Sequence, residues 1–203
     1  MIATVLATTL VAFLAYIIGS IPFGLLLTQA FTGTDIRQLG SGNIGATNVL
    51  RTGAKGLALA TLILDAGKAL LPLFILRQLQ AADLPTEPWW PGLVALSACL
   101  GHCYSVWLKF RGGKAVASFL GAWLGLSLGA GLTLCLTWLV VAVMWRRSSL
   151  AALSASFAAP ILAWGQPVLF TFMVCLSGLI WFRHRDNLSR LLVDREPLIG
   201  SET

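Results

Sequence analysis

Charge is scarce in this sequence. Of 203 residues only 11% are charged and 57% are hydrophobic, where a soluble domain usually carries about 25% charged residues. So few charges cannot dress a water-facing surface, and much of the chain is expected to face lipid. Carboxylates are the scarcest: Asp and Glu number 8 against 14 Lys and Arg, for a net charge of +6. A divalent-metal phosphotransfer site wants several acidic ligands together, and near the polar clusters only Asp35 and Asp186 are at hand, so neither metal nor other cofactor is expected. The basic residues form no long tract, which argues against a nucleic-acid partner. The four cysteines, Cys99, Cys103, Cys135 and Cys175, lie in apolar runs with no C-x-x-C pair. Cys99 and Cys103 share a helix face beside His102, but the reading as small buried hydrophobes is preferred to a metal site. The first twenty residues, MIATVLATTLVAFLAYIIGS, lack the Lys or Arg of a leader peptide and read as a retained transmembrane helix. No internal repeat is evident.

What the sequence has is apolar length. Apolar stretches cover residues 2–31, 54–80, 91–108, 115–130, 132–145, 149–164 and 166–182. A full span needs about 20 such residues, so the last four are short and require tilt or a locally thinner bilayer. Pro160, the Gly165-Gln166-Pro167 run and the glycines at 129 and 131 mark breaks. The expectation is one all-α integral membrane domain over residues 1–203, with about seven transmembrane helices, or five if the short ones merge. The tail after about Asp194 is expected to be flexible. The positive-inside rule sets orientation. With the N-terminus outside and seven spans, the inner segments hold Arg37, Arg51, Lys55, Lys109, Arg111, Lys114, Arg146, Arg147, Arg183, Arg185, Arg190 and Arg195, all but Lys68 and Arg77 of the 14 cations. The C-terminus is then cytoplasmic. The outer loop around 81–90 carries Asp83 and Glu87 with Trp89 and Trp90, which suit a membrane interface.

Polar residues gather in four of those inner segments, and in so apolar a chain they need a reason. In 40-GSGNIGATNVLR-51, three glycines free the backbone to aim N–H groups at one anion, and Arg51 adds a fork that matches phosphate. The segment is not a Walker loop, and its composition also suits a plain polar loop. In 101-GHCYSVWLKFRGGKAVA-117, Arg111 and Lys114 flank a glycine pair directly before a helix, which makes an anion site; a basic membrane anchor explains the charges but not the glycines. His102 reads as a packed, hydrogen-bonded residue. In 146-RRSSL-150 a serine either caps the next helix or reaches a phosphate. In 183-RHRDNLSR-190, His184 and Asn187 share a helix face, beyond what a basic tail at a lipid surface needs. Asp65 and Lys68, three apart, are expected to pair or to line the polar interior.

SGNIGATNVLR, GHCYSVWLKFRGGKAVA and RHRDNLSRL resemble the three signature motifs of the bacterial acyl-phosphate:glycerol-3-phosphate acyltransferases, PlsY. The GSIPFG and LDAGK runs resemble that family too, and the likeness covers nearly the whole chain in order and spacing. Ala69 and Ala115 stand where the family usually has glycine, and Arg111 where it often has lysine. The H-x-x-x-x-D pair of the unrelated glycerophosphate acyltransferases is missing, since Trp107 and Ser189 lie five residues after the two histidines.

The resemblance implies transfer of a fatty acyl group from acyl phosphate to the 1-hydroxyl of sn-glycerol 3-phosphate, the first acylation of phospholipid synthesis, giving lysophosphatidic acid and phosphate. It implies catalytic roles for Ser41, Lys114, His184 and Asn187. It implies phosphate binding by Ser41, Gly42, Asn43, Gly45, Ala46, Thr47, Asn48, Arg51, Arg111, Gly112, Gly113, Lys114, Ser149, His184 and Asn187. No nucleophile–base pair is found, so positioning and charge neutralisation are expected to dominate. The implied partners are the two substrates, membrane lipid and functional coupling to an enzyme that makes acyl phosphate; the implied location is the bacterial inner membrane, with the site loops cytoplasmic. The rival readings are a transporter of organic anions, which calls for inverted repeats and helices broken at mid-membrane, and a non-catalytic lipid-binding subunit.

Overall fold

The computed structural model describes residues 1–200. Each apolar stretch folds as helix, and no strand occurs among the described residues. The first stretch is bent at Pro22, which lacks an amide hydrogen and forces the residue before it to be extended. Ile21 is extended at φ −60° and ψ 118°, which separates α1 (Ile2–Ser20) from α2 (Phe23–Thr32). Gly33, left-handed at φ 66°, closes α2. A loop with a short helix α3 (Ala46–Val49) leads to α4 (Lys55–Ala81). Then follow α5 (Trp90–Cys103), α6 (Val116–Leu126), α7 (Leu128–Trp145), α8 (Ser148–Leu162), α9 (Pro167–Arg183) and α10 (Arg185–Leu192).

Among the described residues, four segments are long and apolar enough to cross a bilayer: Ile2–Thr32, Lys55–Ala81, Trp90–Leu108 and Leu128–Trp145. A fifth arises if α9 and α10, bent by 63° at His184, count together. α6 and α8 have 11 and 15 residues, about 16 and 22 Å of helix, less than the roughly 30 Å of hydrocarbon in a bilayer. Length and composition therefore support four to five full spans. The break expected at Gly129 and Gly131 falls instead at Ser127, whose hydroxyl accepts from the Ala130 amide at the start of α7. Gly131 serves close packing, since a Cβ there would lie 2.6 Å from the Leu124 backbone.

α5 is the central helix, against α1, α4, α6 and α9. Small residues let it approach α1: a Cβ on Gly19 would sit 2.1 Å from the Ala98 carbonyl, and one on Gly101 2.2 Å from the Tyr16 carbonyl. In lipid, where tails are as apolar as leucine, such contacts and interhelical hydrogen bonds hold helices together. The bonds here are Trp90 Nε1 to Thr8 Oγ1 (2.9 Å), Tyr16 Oη to the Tyr104 carbonyl (2.5 Å) and Ser105 Oγ to the Ser20 carbonyl (2.6 Å). α6 rests on α4 through Gly121 and through Ser118 Oγ, which donates to the Asp65 carbonyl at 2.8 Å. Leucines, valines and phenylalanines of α1, α4 and α7 stay exposed around this core, as a lipid-facing surface requires. The pairing expected within α4 is present: Lys68 Nζ lies 2.6 Å from Asp65 Oδ1, with both side chains buried. His102 is packed as expected, its Nδ1 3.2 Å from Lys68 Nζ.

Candidate active site

The loop between α2 and α4 is shaped by its own side chains. Asp35 accepts from the Arg37 amide and pairs with its guanidinium at 2.6 Å, which holds the carboxyl below and the guanidinium above their ordinary pKa ranges. Asn48, buried, donates to the carbonyls of Ile36 and Leu39, both at 3.0 Å, and accepts from the Ser41 amide at 3.2 Å. Its amide is thus committed to the loop itself. Gly40 and Gly42 adopt left-handed backbone at φ 51° and 67°, where L-residues are strained. A Cβ on Gly40 would lie 2.9 Å from Arg51 Nη1, so this glycine also leaves room for the guanidinium.

The second loop is folded against the end of α5. The Gly112 amide donates to the Cys103 carbonyl (3.0 Å) and the Gly113 amide to the His102 carbonyl (2.9 Å). A Cβ on Gly112 would lie 2.0 Å from the His102 carbonyl oxygen, and one on Gly113 2.3 Å from His102 Nε2. The glycine pair is therefore a close-packing device, with both amides already bonded. Ala115 is left-handed at φ 59° and starts α6, which has no side-chain cap, so its first amides are open to an acceptor.

The remaining pieces come from the C-terminal half. Ser148 Oγ lies 3.2 Å from Thr47 Oγ1, joining the start of α8 to the first loop. Neither serine caps α8. Ser149 Oγ donates instead to Glu196 Oε1 at 2.7 Å. Glu196 also accepts from Asn187 Nδ2 (2.5 Å) and Arg190 Nε (2.8 Å). Burial acts to raise its pKa, but these donors outweigh it and hold the carboxyl below the usual range. Lys114 Nζ donates to the other end of the Asn187 amide, at Oδ1. Burial pushes the Lys114 ammonium below the ordinary lysine value, and Glu196 works the other way. At the bend after α9, His184 Nδ1 is 2.8 Å from the Ile180 carbonyl. A carbonyl only accepts, so Nδ1 carries the hydrogen and Nε2 is left as the acceptor. Burial pulls the His184 pKa down to about 4, and the ring is neutral near pH 7.

These segments enclose one cavity of about 660 Å³. Ser41, Asn43, Gly45, Ala46, Thr47, Asn48, Arg51, Lys114, Ser149, His184 and Asn187 line it. Gly42 sits in the loop turn behind it, Gly112 and Gly113 lie against His102, and Arg111 is exposed outside it. Four cations line the wall (Arg51, Lys55, Lys114, Arg190) against two carboxylates, Asp65 and Glu196, the first of which is paired with Lys68. The rest of the wall is apolar: Leu59, Leu62 and Ile63 of α4, Leu120 and Leu124 of α6, and Trp138 and Leu139 of α7. Leu59, Leu62, Ile63 and Leu139 are also exposed on the bundle surface, so the cavity meets lipid between α4 and α7. Glu196 and Arg190, outside the set that the resemblance implies, also line this cavity. The tail that it marked as loose has partners as far as the described residues go: Asp194 pairs with Arg147 at 2.6 Å, and the Ile199 amide bonds the Arg146 carbonyl.

A cationic end continuous with an apolar wall that opens on the exposed faces of α4 and α7 is the character of this cavity. The family model described as glycerol-3-phosphate acyltransferase matches residues 9–194, and the chain belongs to that family. It is 48% identical over 195 residues to the glycerol-3-phosphate acyltransferase of Dinoroseobacter shibae, covering 95% of this chain and 93% of the relative. With that of Maricaulis maris it shares 50% over 190 residues, 92% of this chain and 85% of the relative. Among solved structures it resembles PlsY, described as an integral membrane glycerol 3-phosphate acyltransferase. The glycerol 3-phosphate form matches at TM-score 0.87 and 33% identity, over 96% of both chains. The lysophosphatidic acid form matches at 0.84 and 32%, over the same shares.

Proposed function

We propose that this protein moves a fatty acyl group from a long-chain acyl phosphate to the 1-hydroxyl of sn-glycerol 3-phosphate, releasing lysophosphatidic acid and inorganic phosphate as the first acylation of phospholipid synthesis. The observation that carries the reading is the single cavity in which a cationic end joins an apolar wall open to lipid. The acyl chain lies along Leu59, Leu62, Ile63 and Leu139. The head reaches the first loop, where Ser41, Gly42, Asn43, Gly45, Ala46 and Thr47 cradle the acyl-phosphate group. Arg51, Lys114, Ser149 and Asn187 hold the two phosphates. The family relation and the bound forms named for the PlsY structures support the acceptor and the product; the donor rests on the motif resemblance.

The chemistry needs little from a side-chain base. Oxygen O1 of glycerol 3-phosphate attacks the acyl carbonyl carbon, and the bond from that carbon to the phosphate oxygen breaks with its electron pair on phosphate. The hydroxyl proton ends on the same phosphate, which is a good leaving group. Neutral His184, with Nδ1–H held by Ile180, offers Nε2 to accept a hydrogen bond from a glycerol hydroxyl and so orients it. Cations fixed along the cavity wall favour charge that gathers on the leaving phosphate.

The distribution of cations supports seven membrane-crossing helices, with the N-terminus outside and the site on the cytoplasmic face of a bacterial inner membrane. A cysteine placed at Glu87 in a cysteine-free background should then react with an impermeant maleimide only from the outer side, and one at Arg195 only from the inner side. The reaction is tested with purified protein, sn-glycerol 3-phosphate, and palmitoyl phosphate or palmitoyl-coenzyme A in parallel, without metal. Lysophosphatidate and phosphate should form from palmitoyl phosphate alone. Product from the coenzyme A ester alone would refute the donor.

A further inference from the structure

Arg183 ends α9 and reads in the sequence as one more cation leaving the membrane. Its side chain turns inward. Nη2 donates to the Gly112 carbonyl at 3.0 Å and Nε to the Gly113 carbonyl at 3.1 Å. The guanidinium lies over the Tyr104 ring at 5.3 Å, and the Tyr104 carbonyl is itself bonded by Tyr16 Oη. The amides of the same glycine pair are taken by the His102 and Cys103 carbonyls. All four backbone polar groups of Gly112 and Gly113 are therefore bonded inside the chain, and none is left for a substrate anion.

We infer that Arg183 is a positioning residue, a strut that sets the place of the Lys114 ammonium. The glycine pair is gripped from both sides, by the end of α5 on its amides and by Arg183 on its carbonyls. The next residue is Lys114, whose ammonium meets Asn187. Arg183 immediately precedes His184, at the corner from which α10 carries Asn187 into the cavity. One guanidinium thus ties the loop that presents Lys114 to the corner that presents His184 and Asn187. A lysine in its place keeps the charge but cannot bond two successive carbonyls as a planar fork while stacked on an aromatic face. The inference rests on the reading of Lys114 as a phosphate ligand given above.

The test measures turnover with palmitoyl phosphate and glycerol 3-phosphate, together with thermal unfolding in detergent, for wild type, R183A, R183K and K114A. Losing two charge-assisted hydrogen bonds should lower kcat per folded molecule of R183A about 30-fold and lower the unfolding temperature as well. Millimolar ethylguanidinium, which can reoccupy the gap, should restore part of the R183A activity and none in R183K. A folding role alone would show a lowered unfolding temperature with kcat per folded molecule at the wild-type value and no rescue, and would overturn the inference. If R183A does not fold, R183K decides: a folded R183K with wild-type kcat overturns the strut, and a folded R183K with at least about a tenfold loss upholds it. K114A at wild-type turnover would instead sink the site reading beneath it, while an inactive K114A beside an active R183A sinks the strut alone.

Discussion

The ion pair inside α4 lends itself to a quantitative test. Lys68 and Asp65 are each 2% exposed, 2.6 Å apart, with Lys68 also against His102 and 5.3 Å from the Phe23 ring centroid. Removing one partner strands the other charge out of water, a loss of about 3–5 kcal/mol in buried pairs. Removing both trades the pair for packed apolar volume, which is commonly near neutral. For a chain of this size about 1 kcal/mol moves the unfolding midpoint by roughly 2–4 °C. Lys68→Met and Asp65→Leu should each lower it by about 6–20 °C, while the double variant falls by less than either. The protein carries its own reporter. Cys99 and Cys103 are fully buried and free, so a thiol-reactive dye records their exposure on heating, above a baseline set by exposed Cys175. If the double variant loses the sum of the two single losses, the coupling is zero and the pair is not what holds these side chains in place.

Arg51→Ala should reduce kcat/KM by about 100-fold through loss of a charge-assisted phosphate contact. Arg185→Ala, at an exposed guanidinium beside Phe182, should stay within about threefold. Acid should destabilise the fold through His184. Its folded pKa of about 4 lies below the ordinary 6.5, so the unfolded chain binds the proton first. Stability is complete above 6.5 and declines as pH falls towards 4, by about 3 kcal/mol in all. Unfolding midpoints measured across that range should flatten in His184→Gln, and an unchanged slope would show that other groups govern acid sensitivity.

Much of the architecture was legible because composition and period act locally. Every apolar stretch is helical, and Asp65 with Lys68 was readable as a pair from its spacing alone. Pro22 could have announced the bend in the first stretch, since its effect depends only on its own ring. The glycine misreadings share one physical origin. A glycine is needed either for a left-handed backbone or for the space of a missing Cβ, and sequence does not separate the two. Gly42 is of the first kind, Gly112, Gly113 and Gly131 are of the second, and Gly40 is of both. The left-handed residues of the second loop are instead Lys109, Phe110 and Ala115, the last at a position where the family usually has glycine. Glu196 was missed because its partners, Ser149, Asn187 and Arg190, lie 47, 9 and 6 residues away, and the turn after α10, with Asp194 left-handed at φ 57° and the Arg195 amide on the Arg190 carbonyl, folds it back to α10. Arg183 was misread for a related reason: a cation at a helix end looks the same whether it faces water or a pair of carbonyls.

The opening of the cavity between α4 and α7 has a consequence for kinetics. The two substrates reach the site from phases in which concentration means different things. Glycerol 3-phosphate arrives as an aqueous solute, counted per litre. A long-chain acyl phosphate, the donor proposed above, arrives as a minority component of the surrounding amphiphile, counted as a mole fraction of that two-dimensional solvent. Adding inert detergent or lipid at fixed bulk donor concentration thins the donor around Leu59, Ile63 and Leu139 and slows the reaction, although every molarity in the tube is the same. An apparent KM for the donor is therefore a property of the bilayer composition as much as of the protein.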